Sequence, residues 1–175
     1  MVADHVKGQM LESLPEAMRD GVQLHRLIDS FTDSHPLVKE TAQTLTADFG
    51  KYAPVVLDIY FDHFLAIGWG RHGRGDLTEF AQWVYRTLLN NYGHLPPRSR
   101  RIVPWMVAQN WLAGYANLRD LQRVFNGMNR RASFVSGMDR AVDVLLRHYI
   151  MIENAFEQFW PELRLHLNQS SQNID

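Results

Sequence analysis

No cysteine occurs anywhere in the 175 residues. Disulfides are therefore excluded, and so are zinc and iron–sulfur sites built on thiolate ligands. Any metal would have to be held by His, Asp or Glu. An excess of charge of one sign is also missing: 18 Lys and Arg stand against 19 Asp and Glu, a formal net charge of −1. Nothing in that balance draws the chain toward nucleic acid or a membrane surface. No uncharged apolar run is long enough to span a bilayer. The opening "MVADHVKG" lacks the apolar core of a signal peptide. The expected location is cytoplasmic, with neither nucleic acid nor membrane as partner. Strand signals are absent as well: no run sustains period-2 alternation, and no hairpin dipeptide separates β-branched runs.

What is present is helical spacing. Met18, Val22, Leu24, Leu27, Ile28 and Phe31 follow Pro15 at that spacing, and "SHP" at 34–36 stops and restarts the pattern. "YAPVVLDIYFDHFLAIGW" reads as a buried helix opening near Pro54. "GWGRHGRG" (68–75) reads as a loop. Leu77, Phe80, Ala81, Val84, Leu88 and Tyr92 mark an amphipathic helix that "GHLPPRSRR" breaks. Trp105, Ala108, Trp111 and Leu112 indicate another helix, with both tryptophans expected in the core. Leu118 to Met128 form a short one, "NRRASFVSG" is a connection, and a long final helix runs from Val142 past Phe159. With no repeat and no shift in composition, the expectation is one all-α domain over 1–167, of about six to eight helices. A polar tail, 168–175, is expected to fray.

Three groups of polar residues interrupt the apolar faces. His25, Asp29 and Asp33 are spaced four apart in "VQLHRLIDSFTD" and stack as one row on a helix. Asp58, Asp62 and His63 sit among Val55, Val56, Leu57, Ile59, Tyr60, Phe61, Phe64 and Leu65. Asp4 stands in the opening "VADHVKG" beside His5. Ionised carboxylates without partners cost several kcal/mol each to bury. Neighbouring acids stay charged together only if a cation joins them. Oxygen and imidazole donors without sulfur suit Mn²⁺, Mg²⁺, Fe²⁺ or Zn²⁺, and carboxylate-rich sets favour Mn²⁺ or Mg²⁺. Spacing alone leaves a metal site and a set of ordinary structural hydrogen bonds both open.

In order and spacing, "MVADHVKG", "GVQLHRLIDSFTDSHP", "APVVLDIYFDHFLA", "QNWLAGYANLRDLQRVFNGMNRR" and "HYIMIENAFEQFWPEL" resemble the acyl carrier protein phosphodiesterase family. That family is distantly related to the HD-domain metal-dependent phosphohydrolases. The resemblance implies an HD-phosphohydrolase-like helix bundle and Mn²⁺-dependent hydrolysis, with Mg²⁺ or Fe²⁺ as alternatives. The bond cleaved would join 4′-phosphopantetheine to the serine of holo-acyl carrier protein, which is both substrate and partner. Carried over position by position, Asp4, His25, Asp29, Asp62 and His63 would form the metal set. Asp29, Asp62 and His63 would carry catalysis, with Asp33 and Asp58 supporting them from outside. Family members usually open with an Asn-Phe-Leu-Ala-His-Leu type segment, whereas this sequence starts inside the next motif. The expectation is that a wall of the site precedes Met1, and that the uncovered groove would favour self-association.

A small acidic carrier needs a basic docking surface. Arg98, Arg100 and Arg101 in "PPRSRR", and Arg130 and Arg131 in "NRR", are the candidates. Two other readings remain open: an HD-like phosphohydrolase acting on a small phosphoester or nucleotide, and a non-catalytic module that binds the carrier.

Overall fold

A computed structural model of the chain describes Glu12 and residues 14–172. Every regular element among them is helical. Seven helices have nine or more residues and are numbered here in order: α1 Glu16–Ser34, α2 Pro36–Thr44, α3 Ala53–Ile67, α4 Leu77–Asn90, α5 Pro97–Ala108, α6 Leu118–Asn129 and α7 Tyr149–Gln172. The expected all-α architecture is therefore observed.

α3 is the central helix. Nine of its fifteen residues are buried, from Ala53 and Val56 round to Phe64 and Ala66. A helix apolar on nearly all sides has to be enclosed by other elements. α2 and α7 pack against it, and α1 in turn packs on both of those. The main core gathers Leu45, Phe49, Val56, Leu57, Tyr60, Phe125, Leu145, Ile152 and Phe156. A smaller cluster of Ala81, Tyr85, Leu95, Val103 and Met106 joins α4 to α5.

Local chemistry sets the helix ends. His35 is extended (φ −65°, ψ 125°) and ends α1, and Pro36 opens α2 one residue later. Asp76 caps α4, its carboxylate accepting from the amides of Thr78 (2.8 Å) and Glu79 (3.1 Å). Asn117 does the same for α6 through Arg119 and Asp120. His35 is itself buried between Phe31 and Phe159 and pairs through Nε2 with Glu162 at 3.1 Å, tying the end of α1 to α7.

Several expectations change. Within 68–75, Trp69–His72 forms a helical turn. "PPRSRR" does not merely break a helix, since Pro97 starts α5 and the arginines lie in its first turns. Trp105 is 64% exposed rather than in the core, and Trp111 is half-buried. The two tryptophans are also in separate helices, because Asn110 adopts a left-handed conformation (φ 48°) between α5 and the turn Trp111–Gly114. The expected long final helix from Val142 is two helices, Ala141–Arg147 ending at His148 and α7 from Tyr149 to Gln172.

Candidate active site

α1 presents His25, Asp29 and Asp33 as one row, as the four-residue spacing requires. His25 Nε2 lies 3.1 Å from Asp29 Oδ2, with both side chains partly open to solvent. α3 presents Asp58 and Asp62 one turn apart. The two rows lie near each other: the charges of Asp33 and Asp29 act on Asp58, and that of Asp58 acts on Asp62. Asp33 and Asp58 line one groove of about 340 Å³, together with Val38, Lys39, Ala42, Gln43, Thr46 and Pro54.

This crowding raises both α3 carboxyls. Burial, then Asp58, pushes Asp62 up from an ordinary 3.8 to about 7. Burial, then Asp33 and Asp29, pushes Asp58 up to about 6. Asp58 has an exposed side, so solvent screens its shift more than that of half-buried Asp62. Among the described residues neither carboxyl accepts a hydrogen bond. They are acids in close company, and no donor among the described residues holds them ionised.

His63 is placed differently from the expectation that it would bind metal or move a proton. It is 2% exposed and lies in the core. Its Nδ1–H donates to the carbonyl of Tyr115 at 2.7 Å, and its Nε2 faces the hydroxyl of Tyr149 at 3.4 Å. Burial lowers its pKa, which favours the neutral ring. Both nitrogens are occupied, so this side chain ties α3 to the Trp111–Tyr115 segment and to α7. Asp4 lies outside the described residues.

Among the described residues, no three His, Asp or Glu side chains close into a ready-made metal cage. The donor set of α1 and α3 does suit a hard divalent cation, being carboxylate with one imidazole. Two residues near the site were not singled out from sequence. Tyr115 is buried and its phenol is held protonated by burial and by the charge of Asp62. Lys39 stands in the groove with no hydrogen bond or ion pair from its ammonium among the described residues. Tyr115 lies inside the "QNWLAGYANLRD" stretch that carried the resemblance, whereas a single lysine on a short helix gave no signal.

The arginines divide by partner. Arg98, Arg100, Arg101, Arg130 and Arg131 are all exposed. Arg100 donates from Nε to the carbonyl of Leu95 at 2.9 Å, so it also secures the turn before α5. Arg98 and Arg101 make no ion pair among the described residues, although they lie at the end of the helix where the macrodipole disfavours cations.

Comparison with known proteins gives a consistent result. The chain matches the family described as "Acyl carrier protein phosphodiesterase" over residues 1–163. Curated proteins named acyl carrier protein phosphodiesterase from Enterobacter sp. (strain 638), Yersinia pestis and Escherichia coli O157:H7 are each 30% identical to it over 164 residues. Those matches cover 93% of this chain and 85% of each relative. No solved structure gives a significant match. The chain belongs to the acyl carrier protein phosphodiesterase family.

Proposed function

We propose that this member of the acyl carrier protein phosphodiesterase family hydrolyses the phosphodiester between 4′-phosphopantetheine and the serine of holo-acyl carrier protein. One observation carries the reading to these residues: the carboxylate rows of α1 and α3 lie close enough for their charges to act on one another, Asp33 and Asp58 line one groove, and no donor among the described residues bonds to Asp58 or Asp62.

Asp29, Asp58 and Asp62, with His25 beside Asp29, are the described groups that would hold a divalent cation, Mn²⁺ first and Mg²⁺ or Fe²⁺ next. Asp4 would join them by family resemblance. When bound, such an ion supplies Lewis-acid charge at the phosphoryl group. Asp62, whose carboxyl is pushed up by burial and by Asp58 in the metal-free protein, is the group assigned to exchange a proton with the attacking water. It takes one proton from the attacking water as the new oxygen–phosphorus bond forms. The bond from phosphorus to the serine oxygen breaks, and that proton passes on to the serine oxygen. The products are apo-carrier and 4′-phosphopantetheine, with atoms and charge conserved. Tyr115 and His63 hold the α3 wall in place behind Asp62.

The test is to incubate holo-acyl carrier protein with the chain and Mn²⁺ and to follow the carrier by mass spectrometry. Loss of the phosphopantetheine mass is expected. An unchanged carrier, with hydrolysis of small phosphoesters instead, would replace this reading with a small-molecule phosphohydrolase.

A further inference from the structure

The groove beside the carboxylates is graded in chemistry along its length. α2 and α3 are joined by a short connection and pack on each other, an arrangement that sets them antiparallel. Lys39 and Gln43 are one turn apart on α2, and Asp58 and Pro54 are one turn apart on α3 in the opposite direction. Lys39 and the acids Asp33 and Asp58 therefore share one end. Gln43, Thr46 and Pro54 share the other, with the apolar walls of Val38 and Ala42 between.

We propose that this groove holds the 4′-phosphopantetheine moiety, with Lys39 contacting its phosphate and the arm running toward Gln43 and Thr46. The assignment rests on the phosphodiesterase reading above and extends it to a binding residue and a direction. Three observations support it. Lys39 has no ion-pair partner among the described residues and stands at the edge of an otherwise acidic site, so a phosphate is a better neighbour for it than water alone. The arm combines amides with aliphatic segments, and the walls offer both kinds of surface, Val38, Ala42 and Pro54 apolar and Gln43 and Thr46 polar. A volume of about 340 Å³ also falls within the roughly 300–1,000 Å³ typical of small-ligand sites.

The experiment compares binding of 4′-phosphopantetheine and of pantetheine, which lacks the phosphate, by calorimetry on the Mn²⁺-supplemented chain, alongside hydrolysis of holo-carrier. Lys39→Ala is expected to weaken phosphopantetheine binding about tenfold, the scale of one charge-assisted contact. Pantetheine binding should not change, and Lys39→Arg should restore most of the loss. Gln43→Trp, at an exposed position, should obstruct both ligands. If the wild type hydrolyses holo-carrier while Lys39→Ala and Gln43→Trp bind both ligands normally, the groove assignment falls and the phosphodiesterase reading stands. If the wild type leaves holo-carrier intact yet binds phosphopantetheine through Lys39, the activity falls and the groove stands. If there is neither turnover nor binding, both fall.

Discussion

Adjacent residues on a helix point about 100° apart, and on α3 that angle separates Asp62 from His63. Asp62 feels the charge of Asp58 one turn away, whereas His63 meets Tyr115 and Tyr149 inside the core. The sequence motif joins them, but their roles differ. An acid whose pKa is raised in the folded state binds its proton more readily there than in the unfolded chain. Its contribution to stability is then greatest below its ordinary 3.8 and is lost as pH climbs through about 7. Urea unfolding in the presence of a chelator should show this. Relative to Asp62→Asn, the wild type is expected to lose on the order of 1–3 kcal/mol between pH 4 and pH 8. A pH-independent difference between the two proteins would mean that Asp62 titrates normally. His63→Ala should act through the fold instead. It opens a cavity and leaves the Tyr115 carbonyl without its donor, for a loss of about 2–4 kcal/mol in denaturant midpoint measurements. A variant of native stability that had lost only activity would restore His63 to the chemistry.

At the scale of elements, the signals that survive in the fold are the local ones. The buried run of α3 with its proline start and the stop at "SHP" depend on local spacing, and both are present, whereas the expected continuous helix from Val142 is broken at His148. The four-residue row on α1 was legible for the same reason. The failures fall where tertiary contacts decide. Nothing local distinguishes Pro97 as a helix start from Pro97 as a break, and the exposure of Trp105 depends on which face of α5 meets α4. His63 could not be assigned from its neighbours either, because its partners lie 52 and 86 residues away. The connection 130–137 gives another case. Gly137 has φ +68°, and an added Cβ would run into the carbonyl oxygen of Asp48, so the loop can approach the Thr46–Phe49 turn only with glycine. Gly137→Ala should destabilise the protein by about 1–3 kcal/mol from the strained backbone alone, with the collision adding to it. Thermal unfolding checks this, and an unchanged melting temperature would show that the loop has room to move.

For the whole molecule, the question is how a protein of net charge −1 would attract an acidic carrier. Net charge sets no pull, so attraction has to come from a local patch. Other surface cations are already engaged: Arg71 with Glu157 at 2.8 Å, Arg123 with Asp120 at 2.7 Å and Arg147 with Asp48 at 2.9 Å. Arg98 and Arg101 have no such partner among the described residues, and they sit where the helix dipole makes them slightly unfavourable for α5 itself. A partner that supplies negative charge there would relieve that cost. Reversing both, Arg98→Glu with Arg101→Glu, should leave the fold intact and even favour the start of α5. It should lower kcat/KM toward holo-carrier by about ten- to a hundredfold at low salt, mainly through association. Because an exposed patch is screened within about 10 Å at 0.1 M salt, the gap between variant and wild type should narrow as salt is raised. Arg100→Ala is the internal contrast. It removes the contact to the Leu95 carbonyl, so part of its effect should appear as lost stability. Equal kinetics for the double reversal and the wild type at every salt concentration would move the carrier's docking surface away from α5, leaving Arg130 and Arg131 after α6 as the patch to reverse next.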